Sequence, residues 1–197
     1  MNVAVLGNLA LLTVKDPAEA ARRLLTLNMN REALWVALAL AVVLNTLLQV
    51  LSNVLYPVSD PDMQDLAGSI TLYVAVVGGG LVVSIAAFYQ VGQKMGGKGS
   101  FNDIMILMVW LQFLRVAVQA FSLLLLISLP GLLDILAFAA FLLGLYITVH
   151  FIDQAHRFGS PLKALGVLVL SALAIAVVIT ILLSLVGGPM LGIPAHV

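Results

Sequence analysis

IMILMVWLQFLRVAVQAFSLLLLISL, residues Ile104 to Leu129, is an unbroken apolar run with one arginine, Arg115, close to its middle. It exceeds the ~20 residues a helix needs to cross a hydrocarbon core. It has no polar alternation and is too long for a strand. Because unpaired backbone is costly in lipid, a helix is the spanning element it predicts. Working outward, four further runs have the same character: Ala33 to Leu55, Gly68 to Val91, Leu132 to Ile152, and Leu162 to Val186. The reading is an all-α integral membrane protein with five spans.

Composition agrees. Of 197 residues, 62% are hydrophobic and only 9% charged, and the mean hydropathy is +1.16. Soluble domains carry about 25% charged residues, so this chain could not cover a water-facing surface. The formal net charge is zero, and nothing global points to nucleic acid. The absence of cysteine excludes disulfides, thiol catalysis and cysteine-ligated metal. The opening MNVAVLGNLALLTV lacks a basic first region and a small-residue cleavage site, so it does not read as a signal peptide.

The connecting segments orient the layout. Lys15, Arg22, Arg23 and Arg31 precede the first span, Lys94 and Lys98 lie between the second and third, and Arg157 and Lys163 lie between the fourth and fifth. The acidic loop YPVSDPDMQDLAG, the Pro130-Gly131 turn and the tail after Val186 contain no lysine or arginine. Basic residues in short loops favour the cytoplasm, so the pattern predicts a cytoplasmic N-terminus and an extracytoplasmic C-terminus. The chain then divides into an N-terminal cytoplasmic or interfacial segment (1–31), a five-helix transmembrane domain (32–187) and a tail (188–197). In KDPAEAARRLL, Asp16 is placed to cap a helix, Pro17 to open it and Glu19 to complete a capping box. Its arginines beside leucines suit a short interfacial helix.

Arg115 is the residue most at odds with its surroundings. Near mid-depth it is unfavourable by ~2.5–3.5 kcal/mol on insertion scales, and should face protein or a water-filled cavity. Gln112, Arg115 and Gln119 share one face of the third span, and Asn45, Gln49 and Ser52 share one face of the first. Both spans run in the same direction, and the depths match. The expectation is a polar seam in which Asn45 and Gln49 accept hydrogen bonds from Arg115. Such a seam serves either as packing glue or as a functional site. Asp134 and Asp153, at the two ends of the fourth span, are expected to be wet.

Other patterns carry less. GQKMGGKGS has phosphate-loop glycines, but Gly99 stands where a metal-binding hydroxyl is needed and the segment follows a membrane helix. It is expected to be a flexible turn. In HFIDQAH, helical spacing keeps His150, Asp153 and His156 from converging on a metal, and the histidines are expected to be wet or bonded to carbonyls. Pro61 is expected to start a short helix in the acidic loop. Gly78, Gly79, Gly80 and Ser84 form a small-residue surface for close helix packing. No catalytic, cofactor or metal-binding set stands out, so no enzyme is expected.

Taken in order, DPAEAARRLL, MGGKGSF, LPGLLD and HRFGSPLKALGVLVL resemble bacterial members of the Yip1 family over most of residues 14–187. The resemblance implies five membrane helices and a cytoplasmic N-terminus. For eukaryotic relatives it implies vesicle trafficking and contact with Rab-type GTPases, but their Asp-Leu-Tyr-Gly-Pro motif is missing here and that role does not carry over. The expected role is a non-enzymatic scaffold or accessory protein of the bacterial inner membrane. It would contact the lipid bilayer and a membrane-protein partner or further copies of itself. The rival is a small transporter or channel with Arg115 in its pathway.

Overall fold

The structure, a computed structural model, describes residues 3–27, 29–55, 69–128, 131 and 133–190. The acidic loop with Pro61, the prolyl half of the Pro130-Gly131 turn and the last seven residues of the tail lie outside the described residues. The described residues form helices and turns, with no strand. Two short helices, α1 (Val3–Lys15) and α2 (Pro17–Leu25), precede five long ones. These are α3 (Arg31–Leu55), α4 (Ile70–Lys94), α5 (Phe101–Ser128), α6 (Leu133–His156) and α7 (Pro161–Met190). All five are long and apolar enough to cross a membrane.

Local chemistry sets the helix boundaries. Asp16 accepts a hydrogen bond from the Glu19 amide at 2.9 Å and Pro17 opens α2. The second half of the expected capping box does not form, because the Glu19 carboxylate turns to Arg22 and Arg23 instead, at 3.0 and 2.9 Å. Asn30 caps α3 through the Ala33 amide at 2.8 Å. Ser100 and Asp103 cap α5 reciprocally, each side chain accepting from the other's amide. α4 ends in a left-handed glycine, Gly96 at φ +86, with the Gly97 amide donating to the Gly92 carbonyl and Gly96 to Gln93. That is the paired-bond helix stop glycine favours. α6 stops the same way, with Phe158 donating to the Asp153 carbonyl, but Arg157 holds the left-handed position at φ 57.

α5 is the central helix. It packs on α2, α3, α4 and α6. Its first turns, Ile104 to Val109, are all buried, and the core continues through Leu34, Leu38, Ile85, Phe88, Phe151, Ile152 and Val167. α3 and α5 run side by side in the same direction, and α7 packs on α4 and α6. The short helices close one end of the bundle. α2 buries Pro17, Ala20, Ala21 and Leu24 against α5 and α6, with Arg22 and Arg23 outward. Trp110 on α5 donates to the Thr13 hydroxyl of α1 at 3.0 Å. Eight lysines and arginines, all except Arg115, belong to this end, referred to below as the basic end.

Candidate functional site

Two groups of polar side chains interrupt the apolar interior. The first lies midway along α3 and α5. The Asn45 amide donates to the Gln119 side-chain carbonyl at 2.9 Å, and the Tyr73 hydroxyl donates to the Asn45 carbonyl at 2.6 Å. One asparagine thus ties three membrane helices together, midway along α3 and α5 and at the first turn of α4. Interhelical bonds of this type contribute ~0.6–2 kcal/mol each in a bilayer. One turn further from the basic end, Gln49 donates to Asn53 of its own helix at 3.0 Å. Ser52 is half-buried beside them. Thr46, Gln49, Val50, Asn53, Val54, Ile70 and Tyr73 line a cleft of about 180 Å³ between α3 and α4.

Arg115 does not join this group as expected. Asn45 accepts from Tyr73 and donates to Gln119, Gln49 donates to Asn53, and Arg115 has no hydrogen bond or ion pair with any described residue. The reason is angular. At about 100° per residue, Gln112 and Gln119 align within roughly 20°, whereas Arg115 stands roughly 40–60° to one side. Gln112 is buried and Gln119 half-buried against α3, while Arg115 is exposed. Along its own direction on α5, Met108 and Leu111 are covered, and Arg115 and Val118 are open. The covering of that face is interrupted at the arginine and resumes in part at Ser122.

Within the chain, the small-residue surface of α4 is only partly covered. A side chain at Gly78 would meet Val42 of α3 at 3.6 Å, so this glycine faces a neighbour. Gly79 and Gly80 are exposed, and a Cβ there would meet nothing within 4 Å. Ser84 bonds back to the Gly80 carbonyl within α4 at 2.7 Å.

At the basic end lies the second polar group. His150 and His156 both sit against carbonyls, one of the two expected outcomes, while the enclosure of His156 is not legible in the sequence. His156 closes α6 and is fully buried. Its Nε2 lies 3.1 Å from the Phe88 carbonyl. A carbonyl only accepts, so Nε2 carries the proton and Nδ1 is left as a bare acceptor, without a partner among the described residues. The Phe158 ring stacks on the imidazole at 5.2 Å. The segment expected to be a flexible turn wraps over this ring. A Cβ on Gly92 or Gly97 would overlap the imidazole, and one on Gly99 would run into the Ala155 carbonyl. Lys98 donates its amide to the His156 carbonyl at 3.0 Å, and Gln93 donates to the Gly99 carbonyl at 2.6 Å. Glycine is required here for contact, which the letters alone do not distinguish from glycine used for looseness.

Asp153, expected to be wet, is buried as well. It accepts the Ser160 amide at 2.8 Å and Gln154 at 3.2 Å, fixing the turn into α7. His150 points elsewhere, its Nδ1 lying 2.9 Å from the Tyr146 carbonyl one turn back. Asp134 is exposed.

These contacts unite three of the stretches on which the family resemblance rests. α2 carries Arg22, which donates to Gln154 of α6 at 3.4 Å, and the glycine segment and the α6–α7 turn close around His156. No curated relative and no solved structure matches the chain. The Yip1 domain family model matches residues 11–183, a range that begins in α1, takes in the whole histidine knot and runs into α7, so the chain belongs to the Yip1 family.

Proposed function

We propose that this Yip1-family protein is a non-enzymatic membrane protein that binds or organises other membrane components laterally, through the outer surface of its helices. One observation carries the reading: a guanidinium stands exposed at the middle of α5 with no described partner. An intramembrane charge left open by its own chain is unfavourable in lipid and is satisfied by a neighbour. In this reading the basic end faces the cytoplasm, the N-terminus is cytoplasmic and the C-terminus extracytoplasmic, in a bacterial inner membrane. The clustering of basic residues at one end supports that orientation. Those residues also attract anionic lipid, at about 1 kcal/mol per charge near the surface.

The transporter reading would put Arg115 in a hydrated route. The cleft between α3 and α4 does not include it. Reconstituted wild type and Arg115→Gln should therefore give equal, background-level flux of small anions into vesicles, whereas Arg115-dependent flux would replace this reading with transport. In native membranes, a photo-crosslinking amino acid at Val118 should give a defined adduct with another membrane protein. Adducts with lipid alone would refute lateral protein binding. Because the chain has no cysteine, Ser100→Cys and Asp134→Cys give a clean labelling test of orientation. Only Asp134→Cys should react with an impermeant reagent added outside.

A further inference from the structure

We propose that the Arg115 face of α5 docks a transmembrane helix of a different protein, one that carries a carboxylate near its own midpoint. The proposal rests on the lateral-binding reading above and names the chemistry of the partner.

The first ground is depth. Arg115 stands at the middle of the 28-residue α5, about 20 Å from either end at 1.5 Å per residue. An arginine side chain cannot cover that distance, so snorkelling does not bring the guanidinium to a headgroup layer. A lipid phosphate is therefore a poor counter-ion, and the anion has to be delivered at mid-depth.

The second ground is that no described residue of the chain supplies such an anion. Its nine acids are Asp16, Glu19, Glu32, Asp60, Asp62, Asp65, Asp103, Asp134 and Asp153. Asp16 and Glu19 precede the spans. Glu32, Asp103 and Asp134 lie in the first turns of α3, α5 and α6, and Asp153 lies in the last turn of α6. Asp60, Asp62 and Asp65 belong to the segment that joins α3 to α4 at the ends away from the basic residues. A second copy would bring no carboxylate to the middle of a span. Docked symmetrically on the same face, it would set one Arg115 against another. Gln112 is buried about 60° away around α5, and Asn45 and Gln119 are already bonded to each other, with Tyr73 on Asn45.

The third ground is shape. On the side of α5 that carries Arg115, Met108 and Leu111 are buried, Arg115 and Val118 are exposed, and Ser122, two turns on, is half-buried. A helix crossing there would meet a cation beside the exposed side chain of Val118. Arginine and carboxylate pair through two parallel hydrogen bonds, and contact between the helices shields the pair from lipid. The pairing also favours ionisation of an acid that alone in lipid would stay protonated.

The test uses the full chain, donor-labelled and reconstituted in phosphatidylcholine vesicles at pH ~8, where an acid beside a cation ionises. The probes are acceptor-labelled Leu-Ala helices of about 20 apolar residues with lysine flanks, bearing Asp, Asn or Leu at the centre. Energy transfer should report binding of the Asp probe about tenfold or more tighter than the Leu probe, with Asn between. Arg115→Leu should erase the difference and Arg115→Lys should keep part of it. Equal binding of the Asp and Leu probes to wild type, or a preference that survives in Arg115→Leu, would overturn the proposal. So would Arg115-dependent transfer between donor- and acceptor-labelled copies of the protein, which would assign the face to self-association. If the Val118 cross-link to another membrane protein forms while the Asp probe is not preferred, lateral binding stands and the carboxylate partner falls.

Discussion

His156 and Arg115 are both nitrogen-bearing side chains in helices that are otherwise apolar, and the fold treats them in opposite ways. Around His156 the chain spends three glycines, an aromatic ring and a helix carbonyl to enclose one imidazole. Around Arg115 it provides nothing among the described residues, and the face opens where the arginine begins. The difference lies in where each sits. At the basic end α2, the glycine segment and the α6–α7 turn bring irregular backbone together, and its free amides and carbonyls supply polar partners. Midway along α5 every backbone group is committed to its own helix, so partners must be side chains, and these sit roughly 40–60° away. The knot is closed within the chain, whereas the arginine is left exposed.

Substitutions that act on one region and spare the other test this contrast. The largest effect is expected from Gly92→Ala, where the added methyl overlaps the imidazole. Overpacking of a rigid contact costs ~1–3 kcal/mol and can exceed that. Thermal unfolding in detergent should show a large loss, and His156→Ala in the same chain should recover part of it. A Gly92→Ala protein as stable as wild type would mean the knot is loose.

Arg115→Leu should move in the opposite direction. It removes a charge whose insertion is unfavourable by ~2.5–3.5 kcal/mol, so expression and stability of the isolated protein should hold or rise. A loss of stability comparable with the glycine variant would show that Arg115 has an internal role, and the contrast would collapse.

Asn45→Ala and Gln119→Leu should each cost ~1 kcal/mol, with the double variant costing less than their sum because they share a bond. Full additivity would show that the mid-depth bond is not formed in the membrane.

The smallest effect concerns the exposed ion pairs of α2. Arg23, and then Arg22, hold the Glu19 carboxyl below its ordinary value. A lowered folded-state value means the contribution is complete above the usual carboxylate range and is lost as pH falls through the folded-state value. Glu19→Gln should remove that part of the acid dependence while changing stability near neutral pH only slightly, since exposed pairs are weak. A stability profile in acid identical to wild type would show that these contacts contribute nothing.

The sequence by itself determined the membrane class, the five spans and the clustering of eight cations among the connecting segments, because hydrocarbon thickness and backbone desolvation act on composition alone. The helices extend a few residues past the apolar runs at several ends, such as α3 to Arg31 and α4 to Lys94, where caps and stops rather than hydropathy set the limit. It also marked Asn45, Gln49 and Gln119 of the mid-depth group, since polar letters are conspicuous in an apolar run, but not their partners Tyr73 and Asn53. Only the tertiary structure decided which of them bond. An offset of a few tens of degrees around α5 separates Gln119, bonded to Asn45, from Arg115, left open; helical spacing gives the offset, but only the packing of α3 shows which side of it is covered. It alone also joined Gly92, Gly97 and Gly99 to His156, because contact between segments some sixty residues apart is decided by packing, on which the letters of either segment are silent.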